Sequence, residues 1–311
     1  MKKAILITSI GAKTPLIKTV TRAKESFDPS LRILGADSNL DVLGRFFVDG
    51  FWQIPHLEKL TPEALLAYAK KHGVRYIIPT RDEELLFFAL HKRAFKKEGI
   101  DVFVADEEAV RFCYDKLRFY EGTKNLWAIP AALCIDALQT DSFVVKERFG
   151  AGAKNMACNV TKTEALAHAK KLQQPIFQPF IQGREYSIDC YVDATMVCRG
   201  AVVRSRDVVI DGESKVTTIV HNEELAQKAA EFVTCHKIQG HSVLQVLQNE
   251  SGSYLIECNT RFGGASTLSD YAGLRSFLWF LLEANKQSFE VNITPKTIRQ
   301  VRAQEDYYFE S

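Results

Sequence analysis

The chain has 311 residues, 46% hydrophobic and 25% charged, with a formal net charge of +2. That composition is of a soluble globular protein of about two domains, and near-balanced charge without a basic block argues against a nucleic-acid partner. No window is apolar for long enough to span a membrane, and the seven cysteines are odd in number and form no CxxC pair, so they read as reduced residues of a cytoplasmic protein rather than a disulfide framework or zinc site.

Residues 1–105 alternate strand and helix. Charged Lys2 and Lys3 precede the short apolar run Ala4 to Thr8, too short for a signal-peptide core, so a first β-strand is expected there. A helix follows from Pro15 to about Phe27, then a strand from Leu31 to Ala36 and a short segment from Gly50 to Ile54. Pro62 to His72 reads as an amphipathic helix, Tyr76 to Pro79 as a strand, the stretch to about Lys97 as a helix, and Val102 to Ala105 as one more strand. This alternation predicts a parallel, doubly wound sheet with ligands near the carboxyl ends of its strands. Asp37 sits at such an end, but GxGxxG is absent after the first strand, which counts against a dinucleotide site and a nicotinamide dehydrogenase.

Residues 106–131 are expected to be helical and contain Asp115 and Lys116. A strand ending in Lys146 runs into a loop, Phe149 to Asn155, with Gly150 and Gly152 alternating with Ala151 and Ala153. Such a loop lets backbone N–H groups approach phosphate oxygens while a lysine supplies a point charge, although the Walker spacing is missing and an ordinary Gly-containing turn fits too. After a helix from Lys162 to Leu172, an apolar strand carries Gln178, Phe180 and Ile181 into Glu185, and the strands from Tyr191 to Val209 place Arg204 and Arg206 on one face. A helix from Glu223 to His236 leads to two apolar runs around a turn at Ser251, a β-hairpin in which Gln245 lies across from Glu257. Glu257, Asn259 and Arg261 then share a face. One carboxylate, two amide oxygens and a guanidinium suit a hard cation that completes its shell with phosphates, although a solvent-facing polar side is the ordinary alternative. A short helix from Ser266 and an apolar helical segment around Phe277 to Leu282 follow, and the 300–311 tail has no assigned role.

Taken in order, Asp115-Lys116, Lys146 with its loop, Gln178 to Glu185, Gln245 and Glu257 to Arg261 resemble the ATP-grasp superfamily. The likeness is greatest to the synthetase units of the carbamoyl phosphate synthetase large chain and their stand-alone relatives. It spans nearly the whole chain and implies a mixed α/β and α+β architecture: a Rossmann-like pre-ATP-grasp domain over 1–105, then a two-lobed ATP-grasp domain over 106–311, with lobes 106–176 and 177–311. By the same likeness Lys116 and Lys146 hold ATP phosphates, and Gly150, Ala151 and Gly152 belong to the covering loop. Gln178, Phe180 and Ile181 form the adenine hinge, and Glu185 binds ribose. Gln245, Glu257 and Asn259 ligate two Mg²⁺ or Mn²⁺ ions, and Arg261 acts with Lys146 on the transferring phosphoryl group. Thr80, Glu83, Arg204 and Arg206 are expected near the acceptor. Pro179 departs from the usual hinge residue, and Gln245 replaces an acid found in many members. The implied activity is an ATP-dependent carboxylate–amine or carboxylate–thiol ligase on small molecules. The alternatives are a phosphotransferase that stops at the phosphorylated product and an ATP-binding subunit without turnover. A homodimer is a family-level expectation only.

Overall fold

The computed structural model describes residues 2–124, 126–150, 155–294 and 296–309. Strand β1 (Ala4–Thr8) is buried at every residue, as a central parallel strand covered on both faces requires. Helix α1 (Thr14–Phe27), β2 (Arg32–Asp37), β3 (Gly50–Gln53), α2 (Pro62–His72), β4 (Val74–Ile78), α3 (Asp82–Lys97) and β5 (Asp101–Val102) follow. The local chemistry explains the boundaries. Thr61 caps α2 by accepting the Ala64 N–H at 3.2 Å, and Gly73 ends it at φ 72°, a left-handed turn that glycine adopts without steric cost.

The five strands are parallel in the order β3-β2-β1-β4-β5. The chain winds outward from β1 through β3, then crosses to the other side of β1, so the carboxyl ends of β1 and β4 flank a topological switch point. Alternation along the strands sends Ile5, Ile7 and Tyr76 into one core and Leu6, Leu34 and Ile77 into another. Of the expected strand from Val102 to Ala105 only Val102 belongs to β5, which pairs with β4 through Asp101 and Val102, and the Phe103 N–H adds a bond to the Ile77 carbonyl at 2.8 Å.

The helix expected over 106–131 is two helices, α4 (Glu107–Tyr114) and α5 (Lys116–Thr123), followed by irregular chain. The break falls at Asp115, which turns extended at ψ 102° and caps α5 by accepting the N–H groups of Leu117 and Arg118. Then come β6 (Phe143–Glu147), β7 (Ala157–Val160), α6 (Lys162–Ala169) and β8 (Pro175–Pro179), giving a three-stranded antiparallel sheet β7-β6-β8. Ala165 of α6 packs there with Phe143, Val145 and Phe177.

The remaining elements are β9 (Arg184–Val192), β10 (Cys198–Ile210), β11 (Glu213–Ile219), α7 (Glu223–Cys235), β12 (Gly240–Asn249), β13 (Gly252–Asn259), α8 (Thr267–Tyr271), α9 (Ser276–Ala284) and β14 (Arg299–Val301). They form a six-stranded antiparallel sheet, β13-β12-β9-β10-β11-β14. Its apolar face (Tyr186, Ile188, Leu244, Val246, Leu255, Cys258) shares a core with Leu225, Ala229 and Phe232 of α7. Phe277 and Leu281 of α9 join the core of Ile5 and Ile7, which ties the two halves together. The tail also has a place: Lys18 donates to the Tyr307 hydroxyl at 2.6 Å, and Tyr307 meets Phe47 edge-on at 4.8 Å. Among the described residues no helix is long and apolar enough to cross a membrane.

Candidate nucleotide and metal site

The β12–β13 hairpin turns through Glu250 and Ser251, with Asn249 paired to Gly252 and its side-chain oxygen accepting the Ser251 N–H at 2.9 Å. Regular pairing from that turn would set Ile256 opposite Gln245 and send Glu257 to the apolar face. A β-bulge at Ile256 adds one residue, so the observed pair is Gln245 with Glu257. The expected pairing is therefore present, but the bulge creates it, not a turn centred on Ser251. The next strand continues the same face, since Gln245 pairs with Ser187 of β9, flanked on that face by Glu185 and Asp189.

Lysines from two other elements meet this face. Lys146, on β6, is 8% exposed. Burial lowers its pKa to about 8; Lys116 pushes the same way, and Glu257 pulls against both. Lys116, at the start of α5, is also lowered by burial, opposed chiefly by Glu257. Burial alone would raise Glu257, but Lys146, Lys116, the 2.9 Å hydrogen bond from Asn259 and Arg261 outweigh it and keep the carboxylate charged. The result is two desolvated cations facing one carboxylate. The donor chemistry fits a hard divalent ion bridged to phosphates, with Glu257, Gln245 and Asn259 as oxygen ligands. Among the described residues no group of three His, Cys, Asp or Glu side chains is placed to hold a metal ion, so such an ion would depend on amide and phosphate oxygens beside the Glu257 carboxylate.

The loop is anchored at its start. Lys116 donates to the Gly150 carbonyl at 2.7 Å, and Arg148 grips Asp115 through two hydrogen bonds of 2.7 and 2.5 Å. Gly150 has φ 119°, which L side chains rarely adopt. Ala151 and Gly152, expected to cover phosphates, lie outside the described residues.

In the hinge, Gln178 is buried on β8 and its side-chain amide donates to the Ile129 carbonyl at 3.4 Å. The Phe180 N–H, expected to read an adenine edge, donates instead to the Ser142 carbonyl at 2.8 Å and extends the β6–β8 ladder. The next amide, that of Ile181, meets no protein acceptor among the described residues. Glu185 pairs with Arg206 at 2.9 Å, and burial raises its pKa despite that partner.

The four residues expected near an acceptor are each engaged by other protein groups. Thr80 is 1% exposed and directs its hydroxyl at the Thr8 and Ser9 carbonyls, so it offers no free donor. Glu83 pairs with Arg81 at 3.3 Å. The neighbouring acid that turns inward is Glu84, which accepts the Thr80 and Arg81 N–H groups and the Ser9 hydroxyl. Arg204 is 2% exposed and pairs with Asp189 at 2.5 Å, in a buried cluster with Ser269, Ser266 and His241. Although burial acts to raise it, Asp189 is held well below the usual carboxylate range by Arg204 and His241. Arg204 thus neutralises an internal carboxylate, while Arg206 serves Glu185.

Arg261 reaches across to the N-terminal half, donating to Asp82 at the start of α3 at 2.5 Å, and its buried Nε has no hydrogen-bond partner. Sequence reasoning missed Asp82 and Glu84. The signal for Glu84 was present: it sits three residues after the cap position Arg81, where a glutamate turns back to the helix start. No local pattern announces a contact 179 residues long in sequence.

Lys146 gives a pH test. Its folded pKa of about 8 lies below the ordinary 10.5, so between those values the unfolded chain binds more protons and stability rises with pH. Lys146→Met is expected to flatten that rise, measured as urea midpoints near pH 8 and near pH 10.5. Phosphates beside Lys146 would raise its pKa again, so nucleotide binding near pH 8 is expected to take up protons, read by calorimetry in buffers of different ionisation enthalpy.

Two family models match the chain: "ATP-grasp in the biosynthetic pathway with Ter operon" over residues 171–307, and "PylC-like, N-terminal domain" over residues 5–103. No curated protein matches it. Among solved structures, biotin carboxylase of Campylobacter jejuni is 14% identical, with 94% of this chain and 73% of that one covered and a TM-score of 0.75. The biotin carboxylase domain of Hydrogenobacter thermophilus 2-oxoglutarate carboxylase, a dimer with MgADP and bicarbonate, gives 14%, 94%, 72% and 0.75. N5-carboxyaminoimidazole synthetase of Staphylococcus aureus with ADP gives 15%, 96%, 81% and 0.73. The fold is the one shared with biotin carboxylase and N5-carboxyaminoimidazole synthetase. More particularly, residues 171–307 are similar to that ATP-grasp family and residues 5–103 to PylC-like N-terminal domains.

Proposed function

We propose that this chain is an ATP- and Mg²⁺-dependent ligase that joins a small carboxylate to an amine or thiol through an acyl phosphate. The observation that carries the reading is Glu257, set by the bulge opposite Gln245, facing two desolvated lysines beside Arg261. The names of the similar structures, carboxylases and a carboxyaminoimidazole synthetase, support ATP-dependent ligase chemistry as a class, and the matched ATP-grasp model describes a biosynthetic pathway.

In this reading Lys116 and Lys146 bind the triphosphate, Glu257, Gln245 and Asn259 hold its metal ions, and Glu185 takes the ribose. Two ions held there would neutralise phosphate charge. A substrate carboxylate oxygen bonds to the γ-phosphorus as the bond to the bridging oxygen breaks and ADP leaves. An amine then attacks the acyl carbon, the C–O bond to phosphate breaks, and the nitrogen proton is lost to solvent. Arg261 stabilises charge on the moving phosphoryl group, and positioning does the rest. The cytoplasm is the compartment proposed for this chemistry.

The test is ADP release over a panel of carboxylates with Mg²⁺, with hydroxylamine to trap an acyl phosphate as its hydroxamate. Release that needs metal and carboxylate, with a hydroxamate formed, is expected. A stable phosphorylated product would make the protein a phosphotransferase, and nucleotide binding with no release from any member would make it a binding protein.

A further inference from the structure

Arg261 lies between the end of β13 at Asn259 and the start of α8 at Thr267, where neither a strand ladder nor a helix holds the chain. A buried polar cluster that the nucleotide site does not use meets this segment. Just after Arg261 the chain closes on itself. The Gly263 N–H donates to the Ser266 hydroxyl oxygen at 3.0 Å, and the Ser266 N–H donates back to the Gly263 carbonyl at 3.1 Å. A methyl group on Gly263 would come within 2.9 Å of the Ser266 oxygen and 3.3 Å of the Val243 side chain, so the turn rests directly on Val243. Val243 pairs with Asn259 on one side and Asp189 on the other, two residues along the same face from Gln245, Glu257 and Ser187. There the turn meets Asp189, to which the Ser266 hydroxyl donates.

Asp189 is fully buried and takes four donors. Its Oδ1 accepts from Ser266 and meets His241 Nε2 at 3.1 Å, and its Oδ2 accepts from Arg204 Nε at 2.5 Å and from the Ser269 hydroxyl at 2.6 Å. Arg204 comes from β10, His241 from β12, and the two serines from the start of α8. Charge-assisted bonds are about twice as strong as neutral ones, so the carboxylate is fixed against both strands and the serine is fixed on it. Phe262, next to Arg261 and buried, packs on the His241 ring at 4.8 Å, a second link to the same cluster.

We propose that Asp189 is the positioning residue for Arg261: through the Ser266 hydroxyl it fixes the turn that follows Arg261 and so sets where the guanidinium stands. The part Arg261 plays in turnover rests on the ligase reading above, but the link from Asp189 does not. The two serines separate this role from support of the fold. Each Asp189 oxygen keeps another partner when its serine is removed, and of the two hydroxyls only that of Ser266 also holds the Gly263 N–H.

Ser266→Ala and Ser269→Ala are compared in the intact chain. Both are expected to lower the urea midpoint to a similar extent. In Ser266→Ala, metal-dependent ADP release at saturating ATP is expected to fall about tenfold, the scale of one lost buried hydrogen-bond partner, with the KM for ATP unchanged. Ser269→Ala is expected to leave both unchanged. In the Arg261→Met background Ser266→Ala should cost nothing further, since a residue that acts through Arg261 has nothing left to place. A loss that adds to that of Arg261→Met, or an equal loss in Ser269→Ala, would overturn the proposal. The link is also read without turnover, from the rate at which phenylglyoxal modifies Arg261, followed by mass spectrometry. Ser266→Ala is expected to speed that reaction about tenfold by loosening the turn, and Ser269→Ala to leave it as in the unaltered chain. Equal rates in the unaltered chain and Ser266→Ala would overturn the proposal. Faster modification in Ser266→Ala of a chain that releases no ADP would keep the link and sink the ligase reading.

Discussion

Glu257→Gln is expected to lower metal-dependent ADP release by about a hundredfold to a thousandfold while the circular dichroism spectrum is unchanged, since removal of one preorganised electrostatic group has that scale of effect. The substitution keeps volume and removes charge. Glu257 is also the anion that opposes the fall in the Lys146 and Lys116 pKa values. Without it the site is a desolvated positive patch that attracts free triphosphate. The variant should therefore bind ATP in chelator at least as tightly as the unaltered chain, yet gain nothing from added Mg²⁺. A variant that loses both forms of binding equally would show that Glu257 supports the fold rather than the metal.

Arg261→Met carries the second large effect. An arginine on a transferring phosphoryl group is worth on the order of a thousandfold or more in turnover. Its methylene stem packs as methionine packs, so the loss is one of charge and of the bond to Asp82. Turnover is expected to fall by about that factor with nucleotide affinity nearly unchanged, because Lys116 and Lys146 remain. A rise in the ATP dissociation constant that matches the loss of rate would instead make Arg261 a ground-state phosphate anchor.

The sequence made the Lys146 and Glu257 side of the candidate site readable because the placement of these residues is local. A lysine closing an apolar strand at 146, a glycine-bearing loop and alternating polar residues at 257 and 259 each follow the period of their own element. Gln245 and Glu257 were paired correctly from an incorrect turn, because a bulge has no signature in strand alternation and the extra residue at Ile256 offset the displaced turn. The surroundings of the four residues expected near an acceptor were opaque for a different reason. Two arginines on one strand look equivalent in sequence, but Arg204 meets a buried carboxylate on the neighbouring strand and Arg206 meets Glu185. Register, and not residue type, separates them. Likewise the polar run from Thr80 to Glu84 gave the place but not the orientation: the helix start turns Glu84 inward, seals Thr80 and leaves Asp82 to face Arg261. The interrupted helix at Asp115 belongs with these, since an aspartate inside a helical pattern is also the residue that starts the next helix.

All of these arguments meet in the placement of a metal-bound triphosphate over the β12–β13 hairpin. A crystal grown with Mn²⁺ and a non-hydrolysable ATP analogue, measured for anomalous scattering, tests this directly. The account predicts manganese peaks within bonding distance of the Glu257 carboxylate, with Lys116 and Lys146 on the phosphates. Ordered nucleotide with manganese bound away from Glu257, or no nucleotide beside Lys146 at saturating concentration, would contradict it.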